Sequence, residues 1–183
     1  MSAGMQERLI AASEAGQVLP EAEDYLDPRF EGDEAEAAAR WIEANPGHSA
    51  FHLLMTLERW APEVYAGIPA DVRAKVLAAT LAEHRQLNDF GYLAPDGSYD
   101  GPAALALVEL GRAAIPALRP LLDDTSKAFL SGSEEATMAK LYGYRRADFA
   151  FRSLAQIVGE DATFEKDPAR RDQAIAALRA KLG

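Results

Sequence analysis

Alanine sets the terms for this chain: 37 of its 183 residues are alanine and 21 are leucine, against 17 valines, isoleucines and threonines together. Ala and Leu lose least on entering a helix, whereas strands draw on β-branched and aromatic side chains. The balance predicts an all-α fold. At 49% hydrophobic and 26% charged, the chain can build one sizeable core. The absence of cysteine excludes a disulfide framework, a thiolate metal site and a cysteine nucleophile. Nineteen basic against 29 acidic side chains give a net charge of −10, which works against binding nucleic-acid phosphates or anionic lipid. The acidity lies early: residues 1–60 carry 12 acidic and 4 basic side chains, residues 131–183 carry 8 and 9. No run approaches the ~18 apolar residues of a membrane span, and the opening MSAGMQERLIAASEAGQ has no apolar core of a secretory signal. The expected setting is cytoplasmic, without nucleic-acid or membrane partners.

Punctuation by Gly, Pro and capping residues divides the chain into helices. Met5 to Gly16 reads as a short helix ending at Gly16, and residues 17–32, with Pro20 and Pro28, read as loop. Asp33 and Glu36 predict a capped helix to Ala44, after which Asn45-Pro46 is expected to open the next. That next segment, HSAFHLLMTLERW, is apolar on most of its circumference and is expected to be central. Pro62 and Pro69 are expected to bracket a turn before a helix at 70–85. QLNDFGYLAPDGSYDGP is the longest irregular stretch. Two short helices broken at Gly111 follow, with Pro116 in the first turn of the second, then a polar loop at 125–133. Ser133 is expected to cap a helical run to Val158, joined or broken near Gly143. Asp167 and Pro168 open the last helix.

The segment ALVELGRAAIPALRPLLDD carries Ala114, Ile115, Pro116, Leu118 and Leu122 at apolar spacing after a Leu-Gly helix end, and closes on Asp123-Asp124. YRRADFAFRSLAQIVG follows about 20 residues on with Arg145, Ala147, Ala150, Leu154, Ile157 and Gly159. This pairing resembles HEAT-type repeats, over roughly residues 101–159. The resemblance implies a stack of antiparallel helical hairpins, a right-handed α-α superhelix, in which neighbouring pairs bury one another. One domain over 1–183 is expected, with irregular acidic helices at 1–60 and HEAT-like hairpins at 61–183. Members of the wider fold include enzymes. Deoxyhypusine hydroxylases need repeated His-Glu pairs, and this chain has three histidines and no His-Glu dipeptide. HEAT-like DNA glycosylases need a basic aromatic groove, which a charge of −10 and two tryptophans do not offer. No motif selects the bilin lyases that share such repeats.

Three clusters are candidates for chemistry. His48 and His52, four apart on a helix, have metal-ligand spacing, with Glu83 or His84 as a third group. The general-base Glu of HExxH is missing, and the preferred reading is a half-exposed His48 and a hydrogen-bonded core His52, with no metal. The stretch 87–102 packs Asn88, Asp89, Tyr92, Tyr99 and Asp100 among three glycines, longer than a repeat loop needs. Its structural reading makes Asn88 and Asp89 a helix stop and Asp100 a helix cap. In LYGYRRADFAFR, Arg145, Asp148 and Arg152 form one polar stripe, Phe149 the apolar side. These are either ion pairs or, with Tyr142, Tyr144, Arg145 and Arg146, a grip for a carboxylate or phosphate.

The leading expectation is a protein-binding or scaffold module using a concave face, with a basic partner suited to the acidic N-terminal region. The alternative is a small metal- and cofactor-independent enzyme acting on an anionic metabolite. There Asp89, Asp100 and Asp148 would be the catalytic carboxylates, and Asn88, Tyr92, Tyr99, Tyr142, Tyr144, Arg145 and Arg146 the binding groups.

Overall fold

The computed structural model describes residues 4–28 and 30–183. Apart from a two-residue hairpin and two isolated bridges, its regular structure is helical, as the composition requires. Its contacts gather into two compact units, Met1–His84 and Arg85–Gly183. The sequence placed a change of character at residue 60. The contacts continue past it because the helices after Trp60 pack back onto those before.

The N-terminal unit is built around α4 (Phe51–Trp60), whose residues Phe51 to Leu57 are all buried. Around it lie α1 (Met5–Glu14), α2 (Glu23–Leu26), α3 (Glu34–Ala44), α5 (Pro62–Gly67) and α6 (Ala70–Glu83). Several local expectations need correction. Asn45-Pro46 does not open a helix: the Asn45 amide donates to Trp41 O and finishes α3, and α4 follows a 3-10 turn at His48–Ala50. Asp33 sits at the cap of α3 without a capping bond, and the nearby donor Glu31 N goes to the Glu34 carboxylate. Between Pro62 and Pro69 the chain makes α5 rather than a turn, with Pro62 at a first-turn position where its missing N–H costs nothing. The acidic stretch 17–32 contains α2 and a 3-10 turn at Leu19–Glu21.

In the C-terminal unit the central helix is α10 (Arg146–Val158), which packs against α7 (Pro102–Glu109), α8 (Ile115–Leu118) and α11 (Pro168–Leu182). Residues 111–123 run as 3-10, α8 and 3-10 again. Pro116 and Pro120 remove amide donors within this run, which prevents one continuous α-helix. Gly143, left-handed at φ 58°, ends α9 (Ser133–Tyr142), so the run expected over 134–158 is two helices. Ser133 is the first helical residue, with Gly132 in the cap position assigned to it. Asp167 accepts from Ala169 N and Pro168 follows, as its sequence reads. No helix among the described residues is long and apolar enough to cross a membrane.

Candidate functional site

The loop at 87–102 and the cluster at 142–152 both lie in the C-terminal unit, and the structure does bring them together. Asn88–Phe90 makes a 3-10 turn, and β1 (Gly91–Tyr92) pairs antiparallel with β2 (Tyr99–Asp100). Two glycines permit this. A Cβ on Gly91, at φ 88°, would sit 1.9 Å from Tyr99 O, and one on Gly101 would sit 2.4 Å from Asp89 O. Backbones this close leave no room for a side chain.

The polar side chains of the loop are engaged in holding it. The Asn88 amide reads the Ser131 backbone as a peptide would, donating to its O at 2.8 Å and accepting from its N at 2.8 Å. The polar loop expected at 125–133 is thereby stitched in: Leu87 N donates to Phe129 O, and Ala128 N donates to Tyr144 O. Asp89 is buried. Asp100 does not cap α7; Gly101 stands in that place. Instead Asp100 accepts from Arg152 Nε at 2.6 Å, Arg152 Nη2 at 3.0 Å and Gln156 Nε2 at 2.9 Å. Burial pushes its carboxyl up, but these bonds outweigh it and hold the group below the usual carboxylate value.

Asp148 is the hub of the second cluster. It accepts from the Arg145 backbone N at 2.9 Å, at the first turn of α10, and pairs with Arg145 Nη2 at 2.9 Å. Arg171 Nη1, from α11, reaches it at 2.6 Å, and all three side chains are largely buried. Arg145 also pairs with Asp172 at 2.6 Å. Burial alone would lower the proton affinity of Arg145; its two aspartates raise it instead. Tyr144 is 1% exposed, and its hydroxyl bonds both Leu93 N and Leu93 O. Burial pushes that phenol up to about 12, which removes it as an acid at neutral pH. Tyr142 stacks on Tyr144, and its carbonyl accepts from Arg171 Nη2. Arg146 is buried and engaged. Tyr92 and Tyr99 stack on one another on the hairpin, with Tyr99 59% exposed.

The proposed grip for an anion is therefore occupied by the protein's own carboxylates. Beside it lies a shallow crevice lined by Asp148, Arg171, Phe151, Phe164, Glu165 and Ile175 among others, with room for about one water molecule rather than a metabolite.

The sequence missed Arg171, Asp172 and Gln156. Arg171 was readable: it shares a face of α11 with Ile175 and Leu178, four and seven residues on, and all three are buried.

All three histidines meet in the N-terminal unit. His48 Nδ1 pairs with Glu83 at 2.8 Å, and the His84 ring lies 6.0 Å from His48 and 6.2 Å from His52. His52 is wholly buried, with Ser13 Oγ 2.9 Å from its Nδ1. Among the described residues no group of three or more His, Asp or Glu is placed to hold a metal ion. Comparison with family models, curated proteins and solved structures returns no match for this chain.

Proposed function

We propose that this chain is a cytoplasmic protein-binding module with a HEAT-like arrangement of helical hairpins, presenting a partly apolar surface to its partner. The observation that carries this reading is an inversion within the C-terminal unit. Its charged groups Asp100, Asp148, Arg145, Arg152 and Arg171 bond one another, while Tyr99, Leu105, Phe129 and Leu141 are half or more exposed. Tyr99 lies on the hairpin; Leu105 and Leu141 belong to α7 and α9, which contact that hairpin. Large apolar side chains held on a rigid frame are what a protein interface uses. The N-terminal unit, with 15 acidic and 6 basic side chains, favours a basic partner and salt-sensitive association.

The test is paired capture with the intact chain and with a Tyr99→Ser, Leu105→Ser, Leu141→Ser variant of unchanged melting temperature. A specific protein held by the first and lost by the second supports the module. Thermal stabilisation by an anionic metabolite, lost in Arg145→Ala and Asp148→Ala variants that still fold, would establish the enzyme instead.

A further inference from the structure

The histidine cluster of the N-terminal unit is not used by the reading above, and its hydrogen bonds are unusual. Ser13, on α1, accepts from the His52 backbone N at 2.9 Å and lies 3.1 Å from Leu9 O and 2.9 Å from His52 Nδ1. One arrangement satisfies these atoms together: the serine hydroxyl donates to Leu9 O, and the imidazole donates from Nδ1 to Ser13 Oγ. The ring nitrogen left over, Nε2, is buried and has no hydrogen-bond partner. A second proton there would place a charge in the core, where a Val18 backbone hydrogen bond offsets only part of the cost of burial.

We propose that His52 is a proton-operated latch, holding α1 against α4 while its ring is neutral and releasing α1 when the ring is doubly protonated. The Ser13–His52 bonds are where α1 meets α4 and the 48–50 turn, two of its principal packing partners. A second polar tie of α1 is at the surface, Arg8 to Asp24 at 2.7 Å. At ten residues and with no side-chain cap, α1 is too short to persist without tertiary packing.

The surroundings of the ring agree. Burial pushes His52 down to about 4, and a hydrogen bond with the Val18 backbone works the other way. Phe51 presents a ring edge at 5.3 Å, and His84, at the end of α6, is the titratable neighbour. His48 lies behind His84, its Nδ1 2.8 Å from the Glu83 carboxylate. Of the other charged groups on the elements packed around α4, Arg8 pairs with Asp24 and Lys75 with Asp71, Arg73 lies over Tyr65 and Arg59 over Tyr25 and Trp60, and Glu7, Glu14, Glu36, Glu43 and Glu63 are exposed. No charged side chain among the described residues shifts His52.

Neutral His52 is favoured by the closed state, so closure is complete above the ordinary histidine value and weakens as pH falls from about 6.5 towards 4. Hydrogen exchange on the full chain, corrected for the intrinsic pH dependence of exchange, tests this. Protection of the α1 amides should fall about 30-fold between pH 7.5 and pH 5, the ratio those two values give, while α10 amides hold theirs. In His52→Asn the side-chain amide replaces the Nδ1–H donor and cannot titrate, so α1 protection should be independent of pH over that range. His48→Gln should respond as the wild type does. Imidazole titration by NMR on the wild-type chain stands independently of any variant's folding: His52 should titrate near 4. An ordinary titration of His52, or an equal pH response in wild type and His52→Asn, would overturn the latch.

Discussion

The two units each wrap helices around a buried central one, α4 in the first and α10 in the second, yet they treat charge in opposite ways. In the N-terminal unit the buried polar side chains are Ser13, His52, Thr56, Thr80 and His84, and their hydrogen bonds include Thr56 to His52 O and Thr80 to Val76 O. In the C-terminal unit they include Asp89, Asp148, Arg146 and Arg171. The net charge is arranged the other way round. The first unit carries 15 acidic and 6 basic side chains, the second 14 and 13. Among the described residues, the strongly acidic unit places no carboxylate in its core, and the nearly neutral one buries Asp148 between arginines. A charge without a partner is too costly to bury, so interior charges require opposite charges close at hand. The difference marks the second unit's polar cluster as its fastening and His52 as the first unit's proposed pH-sensitive point.

The largest expected effect breaks that fastening. Asp148→Asn leaves Arg171 buried without its counter-charge and Arg145 with Asp172 alone, and should cost about 3–5 kcal/mol, read by urea denaturation. Hydrogen exchange should localise the loss to residues 85–183. Gly101→Ala comes next, since its Cβ would overlap Asp89 O; a loss of about 1–3 kcal/mol is expected, again in the second unit. The pH response sharpens the contrast. Asp100 is held below its usual value, so its contribution is complete above the ordinary carboxylate range and is lost as pH falls through its folded value. Monitored together, the α1 amides should therefore lose protection at a higher pH than the α10 amides. The smallest effect is expected for Lys75→Ala, which removes an exposed i,i+4 pair with Asp71; its denaturation midpoint should match the wild type.

What the sequence disclosed depends on how far apart the interacting residues lie. The break at Gly143, the Asp167-Pro168 opening of α11 and the apolar wrap of Phe51–Leu57 are local patterns, and the structure reproduces them. So is the Arg145–Asp148 pair, three apart on one helix. Asp100 to Arg152 spans 52 residues and Asp148 to Arg171 spans 23, and no periodicity carries such pairings. Asp100 looked like a cap because Asp before Gly-Pro is a good one locally; a distant arginine and glutamine take its carboxylate instead. Asn45-Pro46 misleads for a related reason. Both termination and initiation suit that dipeptide, and the Trp41 carbonyl decides.

The central claim is that the polar residues concentrated around Asp148 are spent on holding the C-terminal unit together. A double-mutant cycle on Asp148→Asn and Arg171→Met, followed by urea denaturation, addresses it most directly. The account expects each single change to destabilise strongly and the double change to cost less than their sum by about 1–3 kcal/mol, because the second removes the charge that the first left unpaired. Additive losses, or an Asp148→Asn variant more stable than the wild type, would contradict it. A carboxylate whose removal stabilises the protein is one kept for a ligand.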